Sequence, residues 1–400
     1  MLTGKFKSIK NIRSSNYIKC SNYIKDKKKM KNNIIVGFLV ILFFVFLYFF
    51  NQIDKVELIN RAGTSYEKAV VVEILEDNLQ EDGSRIGYQK VNVKVTSGSL
   101  KGNIYEATSF AGNLYGADCR VGMKVIVGIS EYDNNATLSV YSYQRSNVIY
   151  MFVGLFLLMI WIIGGRKGFK SALGLIFTFI CIIYLFLPML YKGYSPFFSA
   201  VVVIILVSIV SLYLIDGISK KSISAMIGTI VGVIISGVFA AGFGYFSKIS
   251  GYNVSEIEEL VFIANNTKLQ VGGILFAGIL IASLGAVMDV SMSIASTINE
   301  IHLHNPEISR GELFKSGINV GRDMMGTMSN TLILAFTGGS INTLIMNYAY
   351  NLKYNQLINM YQVGIEIMQG ISGSLAIILA VPLVSFISAY LLKVDLTNKI

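Results

Sequence analysis

From Val148 onward the chain is almost continuously apolar, interrupted at short intervals by Gly, Lys, Arg, Asn and Asp. Seven stretches of membrane-spanning length can be read there, near 148–164, 171–190, 196–214, 223–246, 270–297, 324–346 and 368–392. An eighth, Ile34–Phe50, follows a basic N-terminal segment, and the residues after it, NQIDK, offer no small-residue cleavage site. An uncleaved signal-anchor helix is therefore expected over 33–50. Residues 51–146 change character. The segments KAVVVEILEDN, QKVNVKVTS, GNIYEAT, KVIVGIS and ATLSVYSYQ gather β-forming residues between turn signals at Glu81-Asp82-Gly83, Ser97-Gly98 and Asp133-Asn134-Asn135. Five or so short strands suit a compact barrel of the oligonucleotide/oligosaccharide-binding type or a small sandwich. The pattern predicts a membrane all-α bundle of about eight transmembrane helices with an inserted extracytoplasmic small β domain. Its parts are a basic cytoplasmic tail over 1–32, the anchor over 33–50, the β domain over 51–146 and a seven-helix bundle over 147–400.

Composition agrees: 53% of residues are apolar and 14% charged, with a mean hydropathy of +0.59, a balance foreign to water-soluble chains of this length. The net charge of +10 comes almost entirely from the tail, where ten basic residues from Lys5 to Lys31 face one acid, Asp26. Such a tail suits anionic lipid headgroups and topology rather than a nucleic-acid surface. The short loops are asymmetric in the same sense. Arg166, Lys167 and Lys170, then Lys220 and Lys221, then Arg310, Lys315 and Arg322 fall on one side, while Lys192, Lys248, Lys268 and Lys353 stand singly on the other. Both termini are expected in the cytoplasm, with the β domain outside. Cys20, Cys119 and Cys181 fall in tail, β domain and span, so no intrachain disulfide framework is expected.

Small residues recur every fourth position in two spans, at Gly228 and Gly232 and again at Gly278, Ala282 and Ala286, a spacing that lets helix backbones approach closely.

Chemistry concentrates in the sixth and seventh spans. Asp289 lies inside an apolar stretch, and Ser293, Ser296 and Glu300 follow at i+4, i+7 and i+11, on one helix face. A carboxylate at that depth costs about 2.5–3.5 kcal/mol, so it is expected to face a protein interior or a watery cavity. In the next span Asp323, Thr327, Asn330 or Thr331, and Leu334 repeat the spacing. Counting back from a cytoplasmic loop over 299–322 puts Asp289 level with Asn330 and Thr331, and Glu300 near Arg322 and Asp323. Two readings follow: a site for a cation, proton or small polar solute, or an interhelical hydrogen-bond clamp. Arg322 and Asp323 also read as an interfacial ion pair or a helix-terminal acid. Glu366, ahead of the eighth span, reads as a side chain snorkelling to the outer interface. Glu300 and His304 at i, i+4 give a weak metal signal, and no metal or cofactor is expected. The chain has no G-x-x-x-x-G-K-[ST], H-E-x-x-H or G-x-S-x-G, which argues against ATP hydrolysis and against an enzyme.

The segments SLGAVMDVSMSIASTINEI, NPEIS and SGINVGRDMMGTMSNTLILAF, in that order, resemble the signature of the YibE/F family of bacterial multi-spanning membrane proteins. The resemblance implies the same architecture over nearly the whole chain and marks Asp289, Asn299, Glu300, Arg322, Asp323, Asn330 and Thr331 as motif positions. The expected function is a secondary transporter or permease for an ion or small polar solute. The alternative is a membrane-anchored sensor or assembly factor acting through its β domain.

Overall fold

A computed structural model describes residues 37–59, 63–81, 86–110, 116–132 and 135–393. The basic tail, Cys20, the first residues of the expected anchor and the turn residues Asp82, Gly83, Asp133 and Asn134 lie outside the described residues. The chain divides into two units, residues 57–172 and residues 1–56 with 173–400.

The first unit is built on five strands: β1 (Thr64–Glu76), β2 (Tyr88–Val95), β3 (Ile104–Phe110), β4 (Lys124–Tyr132) and β5 (Asn135–Tyr143). Each coincides with one predicted segment. They close into a barrel in the order β1-β2-β3-β5-β4, antiparallel throughout except for the β3–β5 pair. The barrel rather than the sandwich alternative forms. Period-two alternation fills its interior: Val91, Val93 and Val95 of β2 and Val125, Val127 and Ile129 of β4 all turn inward and are buried. Each such side chain contributes about 1.5–3 kcal/mol by leaving water. Two polar side chains share this interior and are satisfied there. Gln89 accepts from the Cys119 N–H at 2.9 Å and donates to the Cys119 carbonyl at 3.4 Å. Ser109 donates to the Ala117 carbonyl at 2.7 Å and accepts from its N–H at 3.1 Å. These bonds fix the connection before β4 under the barrel. At the β2–β3 turn Gly98 takes φ +75°, and a side chain there would collide with Glu67.

The helical elements are α1 (Gly37–Phe50), α2 (Ser146–Cys181), α3 (Leu187–Tyr191), α4 (Pro196–Asp216), α5 (Lys220–Ser247), α6 (Ile257–Asn266), α7 (Ile274–His304), α8 (Arg310–Gly339), α9 (Ile341–Ala349), α10 (Tyr354–Leu357) and α11 (Tyr361–Leu392). Five helices are long and apolar enough to cross a membrane, or six if the bent pair α8–α9 counts as one span. These mark a multi-pass membrane protein, with fewer qualifying helices than the eight expected spans. Two reasons account for the difference. The described part of α1 is short, and the two spans expected at 148–164 and 171–190 form one helical run, Ser146–Tyr191. The basic loop expected between them is reduced to a single non-helical residue, Gly165, at φ 53°, ψ −133°.

In the second unit α7 packs against α4, α5, α8 and α11, and α11 also against α5 and α8. At the seam where α5, α7 and α11 meet, glycines of α5 receive side chains of the other two helices. A Cβ at Gly232 would stand 2.8 Å from Val287 of α7 and 3.4 Å from Ala380 of α11, and one at Gly228 would overlap Val384. The close-approach reading therefore holds for α5. On α7 it fails for Gly278 and Ala282, which lie on the exposed face with nothing within 4 Å of a Cβ built on Gly278, whereas Ala286 packs against the core. α1 rests on the segment before α4, where Asn51 donates to the Tyr184 carbonyl at 2.7 Å and Lys192 donates to the Phe50 carbonyl at 2.7 Å.

Basic residues gather at one end of this bundle. Lys221 pairs with Asp216 across the α4–α5 turn. Lys220 donates to the Leu392 carbonyl at 3.3 Å, and Lys393 to the Pro306 carbonyl at 2.6 Å. These contacts bring the α4–α5 turn, the α7–α8 turn and the end of α11 together.

Candidate functional site

The α7–α8 hairpin is tighter than the sequence suggested. α7 runs on to His304 and α8 begins at Arg310, so five residues join them instead of a loop over 299–322. Ser309 caps α8, accepting from the Glu312 N–H at 3.2 Å, while Glu312 accepts from the Ser309 N–H at 3.0 Å. This reciprocal capping box satisfies two of the otherwise orphaned donors. Register across the hairpin is set by Gly317, where a Cβ would meet the Ile298 side chain at 2.6 Å. Counting outward from that contact places Asp289 level with Gly326, and Glu300 level with Lys315. The expected levels, Asp289 with Asn330 and Thr331 and Glu300 with Arg322 and Asp323, are corrected accordingly. The reason is that both helices continue through the residues read as loop.

Asp289 is exposed on the outside of α7, not enclosed by the bundle. With it on the same face stand Gly278, Ala282, Gly285 and Glu300, all exposed, and Ser293 and Ser296, half-buried. The result is a continuous small and polar stripe along the helix, in which Gly278 and Gly285 have open space where a side chain would project. Asn299 is half-buried beside it. On α8 the arrangement repeats: Arg322, Asp323, Gly326, Thr327, Asn330 and Thr331 are exposed, whereas Leu313, Gly317 and Gly321 turn inward. Thus the two polar stripes exist and are largely uncovered, but among the described residues no hydrogen bond joins them.

The clamp reading is not what these side chains do. Thr327 and Thr331 donate back to Met324 and Thr327 carbonyls of their own helix at 3.0 and 2.9 Å. Among the described residues Asp289 has neither a hydrogen bond nor an ion pair, and Arg322 does not pair with Asp323. A buried hydroxyl contact between helices lies elsewhere, at Ser236 of α5 and Ser283 of α7, 3.0 Å apart. No group of three or more His, Cys, Asp and Glu side chains suited to a metal occurs among the described residues.

A second feature went unread in the sequence. At the end of the second unit opposite the α7–α8 turn, a cavity of about 590 Å³ opens beside the break between α8 and α9. The two helices meet there at 62°. Glu366, read as a snorkelling side chain, lines this cavity together with Gln362 and Gln369 of α11, Thr337 and Ser340 at the break, and Glu256 ahead of α6. The i, i+4, i+7 spacing of Gln362, Glu366 and Gln369 was the available signal. What it lacked was any indication that α8 breaks opposite them.

No curated protein and no solved structure matches this chain. The YibE/F-like protein family matches residues 152–394, which takes in both polar stripes and the cavity and leaves out α1 and the barrel. The chain belongs to the YibE/F-like protein family.

Proposed function

We propose that this protein is a secondary transporter or permease for an ion or small polar solute, with the polar faces of α7 and α8 as its path. One observation carries the reading: a carboxylate, several hydroxyls and an amide stand uncovered on helices of an otherwise apolar bundle. Asp289 at lipid depth would cost about 2.5–3.5 kcal/mol against hydrocarbon, so this face is best served by water or by a helix that moves over it. The small residues Gly278, Ala282 and Gly285 leave room for either. Alternating access would then follow from a solute that binds one arrangement better than the other. In this reading the bundle has eight spans with α1 as a signal anchor, the basic end lies in the cytoplasm and the barrel outside. The protein is not an enzyme in this reading, and anionic lipids hold the tail.

Thermal unfolding of the detergent-solubilised chain against alkali and divalent cations, protons and small solutes tests this, with Asp289→Asn alongside. A solute that stabilises the unmodified chain and not the variant supports a site at Asp289, because binding to the folded state alone raises apparent stability. If no solute acts and the substitution is neutral, the path is not at Asp289. A second reading, a sensor or assembly factor, draws on the barrel. Its surface carries two exposed edge-to-face aromatic pairs, Tyr66 with Tyr141 and Tyr88 with Phe110. A barrel-directed protein would retain its activity in Asp289→Asn and lose it in Tyr88→Ala.

A further inference from the structure

The cavity beside the α8–α9 break lies away from Asp289: Leu275 of α7 lines it, and Asp289 follows fourteen residues later, roughly 21 Å along the helix.

Its charged side chains have one sign: Glu366 and Glu256 line it, and no lysine or arginine does. Both helix ends at the break border it, α8 through Phe336, Thr337 and Gly339 and α9 through Ser340, Thr343 and Leu344, so their opposed partial charges offset and the two carboxyls set the sign. The acidic and amide groups are unengaged: no protein hydrogen bond or ion pair occupies Glu366, Gln362 or Gln369 among the described residues, and Thr337 donates only to its own helix, to Ile333 at 2.9 Å. Their polar atoms are free to meet a ligand.

The remaining wall is apolar, with Leu275, Ile333, Leu344 and Ile367. At about 590 Å³ the space falls in the range of small-molecule sites, about 300–1,000 Å³, whose usual make-up is an apolar lining with a few placed polar groups. A bare inorganic ion would fill little of it and leave the apolar wall unused. We propose that this cavity binds a small organic cation, its ammonium group against Glu366 and its apolar body against Leu275, Ile333 and Leu344. The α8 face that carries Asp323, Thr327 and Asn330 continues one and two turns on to Thr337 at the cavity wall, so the ligand would sit at one end of that polar stripe.

Binding is measured on the full chain in detergent by isothermal titration, with benzyltrimethylammonium chloride as probe, benzyl alcohol as its neutral counterpart and sodium chloride at equal ionic strength. The expected result is binding of the ammonium probe at millimolar concentration or better and about tenfold weaker binding of the alcohol, the ratio that one close charge–charge contact near a protein surface confers. Glu366→Gln should abolish the preference for the ammonium. Leu344→Trp, which keeps the charge and fills the space, should weaken both probes. Asp289→Asn should leave titration unchanged, so this inference and the transport path at Asp289 fail separately. Equal affinity for ammonium and alcohol, an unchanged ammonium titration in Glu366→Gln, or heat from sodium chloride that matches the probe's would each overturn the assignment.

Discussion

At the scale of single residues, glycine separates into two populations that the sequence shows as one. Gly232 is pressed between Val287 and Ala380, whereas Gly278 and Gly285 have nothing within 4 Å of an added Cβ. Gly232→Val should therefore destabilise the bundle by about 1–3 kcal/mol through overpacking. Gly278→Ala should stabilise it by about 0.5–1 kcal/mol, since only helix propensity changes. Thermal unfolding of the two variants checks the contrast, and equal shifts of one sign would show the faces to be misassigned. In the barrel, Gln89→Leu removes both hydrogen bonds to the Cys119 backbone and should cost about 1–3 kcal/mol. Hydrogen exchange at residues 117–119 should accelerate accordingly. Nothing in the sequence marked Gln89 as interior except its place in the alternation QKVNVKV, where it occupies an inward position ahead of Val91 and Val93.

Individual elements were legible wherever a single period ruled them. The five strands followed from alternation, and the long helices from apolar length. The α7–α8 hairpin was not, because His304 and the charges from Arg310 to Arg322 look like loop and are in fact exposed residues of the two helix ends. Its capping box gives a test at this scale. The Glu312 carboxyl is held below the usual carboxylate range, first by the Ser309 N–H and then by the Ser309 hydroxyl. A folded pKa lowered in this way adds stability that is fully present above the ordinary glutamate value of about 4.3. It is lost as the pH falls through the lowered folded value. Amide protection in the first turn of α8, taken relative to the unstructured exchange rate at each pH, should thus fall on acidification in the unmodified chain. In Glu312→Gln it should already be lower at neutral pH and change little with acid. Ser309→Ala should cost the helix about 0.5–2 kcal/mol. Insensitivity of residues 310–313 to either substitution would mean that the box does not hold the turn.

For the whole molecule, the two units each have a core of their own, valine-lined in the barrel and made of leucine, isoleucine, valine and alanine in the bundle. Two separate cores predict two unfolding steps. Exchange followed across a denaturant series should show residues 64–143 losing protection at a different midpoint from α5, α7 and α11. A single shared midpoint would show that the units unfold as one. At the same scale, Asp289→Asn should abolish solute-dependent stabilisation with little loss of folding, since its carboxylate has no protein partner to lose.

The sequence by itself determined the class of this protein: apolar runs of spanning length, a β insertion read from alternation, the polar spacing around Asp289 and Asn330, and the motif order that places it in its family. These are local or periodic properties, written in residues a few positions apart. Only the tertiary structure decided which face of each helix is covered. It placed Gly228 and Gly232 against α7 and α11, left the Asp289 stripe open, and brought Glu366 opposite a break in α8. Helical spacing fixes which residues share a face, but which neighbour that face meets depends on packing among segments far apart in the chain. Polar and small residues satisfy the same spacing whether they line a seam, a path or a cavity.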